Sequence, residues 1–397
     1  MVKSDVKNSS VDLLKDRNLY LIFSITLVGV MGVASITPAF PKIADTFGIS
    51  SQKVGYLISV FTFPGIFLTP FLGVLADRYG RKTILVPALM LFGAAGFACF
   101  FARDFQFLLW MRFLQGVGAA SIGSLNVTLI GDLYTGHRRG TAMGYNGSVL
   151  SMGTAAYPAV GGALAAVAWY YPFLLPLLGV LVGLAVLKFL NNKEPKNRTN
   201  LKQYLGNTLR SMGRFKVVTL YFSSISFFII IYGAFLTYFP FLMRNRFDSP
   251  VFIIGLVMSG TSVFAAITAS QLGKLSRKTS YRNLLLFSFL LYAITLVSVP
   301  FVKSIYVLLL PTALLGLANG LNMPVMQTIL AGLAPREQRA AFMSVNGMVL
   351  RIGQTVGPLY TGLFYGIAGL QGAFFFSLIP VLISAVMVFF AFRDKNH

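Results

Sequence analysis

Two arginines pose the chemical question. Arg112 stands in Leu109-Trp-Met-Arg112-Phe-Leu-Gln115-Gly116 and Arg351 in Val349-Leu-Arg351-Ile-Gly353, each inside an apolar run. A guanidinium in such a run needs carbonyls, water or an anion, because it does not deprotonate. The carboxylates that could answer it are few. All eleven are Asp5, Asp12, Asp16, Asp45, Asp77, Asp104, Asp132, Glu194, Asp248, Glu337 and Asp394, and none falls in the middle of an apolar run. Asp77 and Asp132 sit beside basic turns instead, Asp77-Arg78-Tyr-Gly80-Arg81-Lys82 and Asp132-Leu-Tyr-Thr-Gly-His137-Arg138-Arg139. Asp132 can pair with Arg81 or Arg78, or it can be an ordinary interfacial aspartate. Arg112 lies only about two turns into its segment, so it can also stretch to the outer interface. The single Cys99 and the two histidines, His137 and His397, make neither a disulfide framework nor a metal cluster. No nucleophile–base set, paired carboxylates or phosphate-binding Gly-x-x-x-x-Gly-Lys-Ser/Thr is present, so neither an enzyme nor a cofactor is expected.

The elements that hold these residues are apolar and long. Of 397 residues 56% are hydrophobic and 11% charged, against about 25% charged in a soluble domain. A soluble fold of this size does not cover that much apolar surface. Twelve segments have the length of a bilayer-spanning helix, near 18–41, 51–76, 83–102, 105–132, 139–167, 169–190, 217–243, 250–275, 283–302, 305–333, 339–366 and 370–392. They are Gly/Ala/Phe-rich and do not alternate, which argues against a β-barrel. The N-terminal stretch has no cleavage-type pattern, so the first span is expected to be retained. Of the 33 Lys and Arg residues, 25 fall on the side of the N-terminus, six on the other side, and Arg112 and Arg351 inside spans. That bias predicts a multi-pass protein of the cell membrane with both termini cytoplasmic. The net charge of +22 is then a topology signal and an attraction to anionic lipid, not to nucleic acid.

The chain repeats itself at an offset of 200. Arg139, Met143, Asn146, Gly147, Val149, Leu150, Gly153, Pro158 and Gly162 recur as Arg339, Met343, Asn346, Gly347, Val349, Leu350, Gly353, Pro358 and Gly362. Gly55, Gly116 and Thr128 recur as Gly255, Gly316 and Thr328. The predicted organisation is an N-terminal six-helix half over 1–190, a polar basic linker over 191–216 and a C-terminal six-helix half over 217–397. Repeated halves around a midplane cavity are a plan of secondary transporters.

The stretch Gly73-Val-Leu-Ala-Asp77-Arg78-Tyr-Gly80-Arg81-Lys82 resembles the loop 2–3 signature of the major facilitator superfamily, Gly-x-Leu-Ala-Asp-Arg-x-Gly-Arg-Arg/Lys. With the spans and the repeat, the resemblance covers essentially the whole chain. It implies an all-α fold of twelve transmembrane helices in two pseudo-symmetric bundles, working by alternating access. It further implies a cytoplasmic gate of Gly73, Asp77, Arg78, Gly80, Arg81 and Asp132, with Asp77 docking near the start of span eleven. Gly73 is expected to permit close helix approach and Gly80 a tight turn. Arg112 with Gly116 resembles the span-four Arg-x-x-x-Gly motif, which implies a charge on the proton path or facing substrate. Arg351 replaces the Ser151 of the first half, and an anionic substrate group or a structural salt link would answer it. Tyr157-Pro158-Ala-Val-Gly161-Gly162 and Gly353-Gln-Thr-Val-Gly357-Pro358 resemble the superfamily's antiporter motif, although Tyr157 replaces a glycine. Gly116, Gly147, Gly153, Pro158, Gly162, Gly353, Gly357 and Pro358 are thus the predicted hinge and packing positions.

The family lines its cavity with spans one, four, seven and ten. Candidates there are Thr37, Gln115, Asn126, Tyr232, Tyr238, Asn319, Asn322 and Gln327. The expected function is proton-coupled efflux of hydrophobic or amphipathic small molecules, by a monomer that needs no metal or nucleotide. The missing mid-span carboxylate disfavours strongly cationic substrates and leaves neutral, zwitterionic or anionic amphiphiles. It also keeps two alternatives open: a facilitator, or a differently coupled carrier of a sugar, an anionic metabolite or a lipid. A non-transporting receptor or scaffold explains neither Asp77 nor Arg112.

Overall fold

A computed structural model describes residues 13–192, 213–333 and 339–393, without the side chains of 339–344. The predicted linker lies largely outside these residues, as do Glu194 and Glu337. Ten helices are long and apolar enough to cross a membrane: α1 Arg17–Phe47, α2 Ser51–Tyr79, α3 Arg81–Phe101, α4 Phe105–Leu133, α5 Gly136–Val167, α6 Tyr171–Phe189, α7 Phe215–Phe247, α8 Val251–Lys278, α9 Tyr281–Phe301 and α10 Ile305–Leu333. Their starts follow local chemistry. The side chains of Asp16, Ser50, Asp104 and Ser280 accept from backbone N–H groups of the first turns of α1, α2, α4 and α9, satisfying donors that have no helical partner.

The final stretch, Arg339–Phe375, is not one helix. Ala368 (φ −136°) and Gly369 (φ +62°, ψ −150°) leave helical geometry. Beyond them the Tyr360 hydroxyl donates to the Phe376 carbonyl at 2.9 Å, and the Phe364 and Phe376 rings stack at 4.1 Å. In a continuous helix residues 360 and 376 would be about 24 Å apart. The chain therefore reverses at Gly369, whose positive φ suits a residue without a Cβ. The part before the break is α11 (339–367). The part after it, with Leu378–Ala391, is α12. It matches α6, which also passes a break before Leu177–Phe189. The twelve expected segments are present as two halves of six.

The start of α1, the turns between α2 and α3, α4 and α5, and α8 and α9, and the end of α10 share one face, here the basic face. On the other, distal face the halves are fused. A Cβ at Gly162 would lie 2.9 Å from the Val251 carbonyl oxygen, and one at Gly55 would lie 3.3 Å from Cβ of Pro358. Gly255 abuts the Pro158 carbonyl. Hydroxyls bridge the same seam. Ser259 accepts from the Ala159 N–H at 2.9 Å, Ser59 donates to the Thr355 carbonyl at 2.8 Å, and the Thr62 and Thr355 hydroxyls meet at 2.8 Å. Phe241 and Val251 of the second half are buried in the core of the first.

Toward the basic face the packing opens. Nothing lies within 4 Å of where a Cβ would stand on Gly73, Gly131, Gly147, Gly273, Gly332 or Gly347. This corrects two expectations. Gly73 and Gly147 are not close-approach positions in this state, because the basic ends around them are splayed. Gly116, Gly153, Gly162, Gly353 and Gly357 do meet neighbouring backbone or side chains, and Pro158 and Pro358 are buried.

Gly255→Val forces a branched side chain onto the Pro158 carbonyl, an overpacking that costs about 1–3 kcal/mol. A thermal melt of the purified protein should show a drop of several degrees, with Gly73→Ala unchanged. Equal melts for the two variants would contradict the seam.

Candidate functional site

At the basic end of the first half, Gly80 (φ +103°) turns the chain between α2 and α3 and puts Arg81 at the start of α3. The turn lets Arg81 reach two carboxylates. It contacts Asp77, four residues earlier, and donates from Nε to Asp132 Oδ2 on α4 at 3.1 Å. Arg81 is buried and Asp77 is 38% exposed at its side chain. The sequence left Asp132 a choice of Arg81 or Arg78, and Arg81 takes it. Asp77 is held inside its own half; the start of α11, its expected dock, is only partly within the described residues. The second half has no equivalent, since Asp77 and Asp132 correspond to Arg277 and Gly332. Nearby, Arg139 donates to the Tyr134 and Gly131 carbonyls, and the Tyr134 hydroxyl donates to Asp16 at 2.7 Å. Burial and that carboxylate push the Tyr134 phenol well above its ordinary range.

The two intramembrane arginines have opposite surroundings. Arg112 has 0% exposure. Its Nε donates to the Leu57 carbonyl at 3.2 Å, and Nη1 to the Gly32 carbonyl at 2.8 Å and to Gln115 Oε1 at 2.6 Å. The guanidinium lies 4.2 Å from the Phe61 ring centroid, a cation–π contact. Arg112 therefore neither stretches to the outer interface nor faces substrate in this state. It ties α4 to α1 and α2 through their carbonyls. Its Nη2 and the Gln115 amide nitrogen are buried without a partner.

Arg351 is partly exposed. It reaches from α11 into the other half, where Nη2 donates to the Ala119 carbonyl of α4 at 3.4 Å. Nη1 donates to Gln354 Oε1 at 3.1 Å. Gly65 of α2 makes room for the side chain, since a Cβ there would lie 3.0 Å from Arg351 Cδ and Nε. Tyr232, partly exposed, is near enough to interact electrostatically. It belongs to Ile229–Tyr238, a widened helical segment of α7, an irregularity common at functional sites. No described carboxylate forms an ion pair with either arginine.

The remaining cavity candidates divide. Gln327 and Asn319 are partly exposed; Gln327 accepts from Asn346 at 3.4 Å and Asn319 from the Tyr292 hydroxyl at 2.7 Å. Asn322 is buried and donates to Ser288 at 2.7 Å. Asn126 is buried and donates to Thr26, which donates to Asn146, each at 2.5 Å. Thr37 is enclosed in the break of α1 beside Pro38 and bonds its own helix at Ala34. Tyr238 stacks on Tyr365 at 4.9 Å in the distal seal. Thr37, Gln115, Asn126, Tyr238 and Asn322 are therefore packing residues here, each with 3% exposure or less. Thr26, Asn146, Ser59, Thr355 and Gln354 were missed; only Asn146, through its repeat partner Asn346, carried a signal. A polar cavity of about 450 Å³ is also present, but at the distal face, where Asp45, Gln52, Arg244, Asn245 and Tyr365 are among its walls.

The family is decided by comparison with known proteins. The Major Facilitator Superfamily model matches residues 22–287 and 242–397. The chain belongs to the major facilitator superfamily. It is a multi-pass membrane transporter, not an enzyme. Multidrug resistance protein 1 of Bacillus subtilis is 26% identical over 389 residues, covering 96% of this chain and 98% of the relative. Tetracycline resistance protein, class B, of Escherichia coli is 24% identical over 359 residues, 86% of each. Among solved structures, a bacterial homologue of the human lysosomal transporter Spinster, inward-facing and unoccupied, superposes with a TM-score of 0.81 at 17% identity over 95% of this chain and 96% of that one. The fold of this transporter is that of its family, and its glycines pack more loosely toward the basic face than at the distal face.

Replacing Arg112 removes its charged donors from the Gly32 and Leu57 carbonyls and from Gln115, at about 1.5–3 kcal/mol for each bond to a charged group. Arg112→Gln should lower the melting temperature clearly. Arg112→Lys should recover only part, because one ammonium does not span both carbonyls. Full stability in Arg112→Gln would contradict a tying role.

Proposed function

We propose that this transporter exports hydrophobic or amphipathic small molecules from the cytoplasm, driven by protons moving inward. The observation that carries the reading is the open basic face. The sequence assigns 25 of the 33 Lys and Arg residues to that side, so by the positive-inside rule we read it as cytoplasmic, with both termini there. A cavity open to the cytoplasm and closed by the glycine seam is the loading state of an exporter. Relatives named for multidrug and tetracycline resistance, matched over most of their length, support the direction and the substrate class. The working unit is the monomer, since each half supplies the other's seam.

Asp77, Arg81 and Asp132 form the cytoplasmic latch and the coupling group. Closing the basic ends brings Asp77 to the start of α11, whose helix N-terminus favours a carboxylate. Asp132 holds Arg81 from α4 while Arg81 also contacts Asp77, so a change at Asp132 alters how Arg81 is shared between α2 and α4. Arg112 acts as a positioning residue for α1, α2 and α4.

The test is transport by purified protein in liposomes with an imposed pH gradient, a lumenal pH dye, and neutral, anionic and cationic amphiphiles added singly. Substrate-dependent proton movement, reduced about tenfold or more in Asp132→Asn, is expected. Substrate equilibration without proton movement would make the protein a facilitator or a differently coupled carrier. That reading has one observation in its favour: none of the described carboxylates lies mid-span.

A further inference from the structure

Of the two charges inside the bundle, only one is free to meet a ligand. Arg112 is fully enclosed, tied to two carbonyls, Gln115 and a ring, and its one unpartnered nitrogen, Nη2, is buried out of a ligand's reach. Arg351 makes one ordinary bond to an amide oxygen and one long bond to a backbone carbonyl of the opposite half. Inserting a guanidinium into a bilayer is costly. A carbonyl at 3.4 Å and an amide at 3.1 Å return only part of that. Its seat is nonetheless built: Gly65 leaves the room, Tyr232 and Gln354 add polar groups beside it, and the Phe228 ring meets Tyr232 edge-on at 5.4 Å. Among the described residues Arg351 is also, by sequence position, the cross-half hydrogen bond nearest the basic face, which places it at the basic-side limit of the seam between the halves.

We propose that Arg351 is the binding centre for an anionic head group, a carboxylate or sulfonate carried on an apolar body. The proposal rests on the reading that the open cavity is the substrate site. A planar guanidinium matches a carboxylate with two parallel hydrogen bonds. Such a ligand outcompetes the long bond to Ala119, so occupancy unties α11 from α4. Loading the cavity and loosening the contact between the halves become one event. Cationic amphiphiles of the same size are rejected by the same charge.

The experiment is equilibrium binding in nanodiscs of zwitterionic lipid, with no gradient. Three probes share one fluorescent aryl body and carry a carboxylate, a neutral amide or an amine. The wild type should prefer the carboxylate over the amide and bind the amine least. Arg351→Gln should weaken the carboxylate about ten- to a hundredfold and leave the amide within twofold. Arg351→Lys should fall between. Gly65→Ala keeps the charge but crowds its seat, and should weaken the carboxylate alone. Repeating the assay with phosphatidylglycerol in the discs separates two sources of the same chemistry. Competition by the lipid makes the natural ligand a lipid; its absence makes it a soluble amphiphile. A wild type that prefers the amine, or an Arg351→Gln that weakens all three probes alike, would overturn the proposal. Because no proton gradient is used, failure of proton coupling leaves this result standing.

Discussion

Backbone against backbone at the distal seam is the contact on which the rest depends. In a bilayer the apolar faces of helices gain little by meeting each other rather than lipid, so halves stay together by close packing and hydrogen bonds. Both are concentrated where Gly162 and Gly255, Gly255 and Pro158, and Gly55 and Pro358 meet across the halves. A glycine surface is smooth, and smooth surfaces allow rotation. The hydroxyls of Ser59, Thr62, Ser259 and Thr355 bridge the seam with bonds that can be exchanged for others. Such a joint holds the distal ends shut while leaving the basic ends free, and rocking of rigid halves about it is how the two faces open in turn.

The charges are distributed to suit that motion. Ionic contacts that hold one half rigid lie within it. Arg81 joins α2, α3 and α4 through Asp77 and Asp132, and Arg112 joins α1, α2 and α4 through carbonyls. Among the described residues, the hydrogen bond between halves that uses a charge is long, from Arg351 to Ala119. A strong ion pair there would lock the rocker. The second half lacks the carboxylates of the basic latch, with Arg277 and Gly332 in their places, so the gate works from one side.

Much of this was legible in the sequence. The twelve segments, their orientation and the repeat follow from hydropathy, charge bias and self-similarity, which survive without tertiary information. The packing role of Gly153, Pro158 and Gly162 follows from the repeat and the resemblance to the antiporter motif, as far as Gly147, which meets nothing. The site was less legible. Arg112 and Arg351 carry the same insertion cost and similar local sequences. What separates them is supplied by other helices: Gly32 and Leu57 enclose the first, and Gly65 only makes room for the second. The chain Asn126–Thr26–Asn146 joins residues up to 120 positions apart, and no local spacing announces it. Thr37, Gln115, Tyr238 and Asn322 have the polarity of cavity residues, but helix rotation and the break at Pro38 turn them into packing.

The central claim is that two rigid halves pivot about the distal glycine seam. Arg78 and Lys278, exposed at the basic ends, and Arg103 and Lys303, exposed at the distal ends, occupy equivalent places in the two halves. Spin labels on each pair, with Cys99 replaced, report both faces by pulsed electron spin distance measurement in nanodiscs. With substrate and a shift in pH, the basic pair should shorten while the distal pair lengthens. A basic pair that moves while the distal pair stays fixed, or no movement of either, would contradict the pivot.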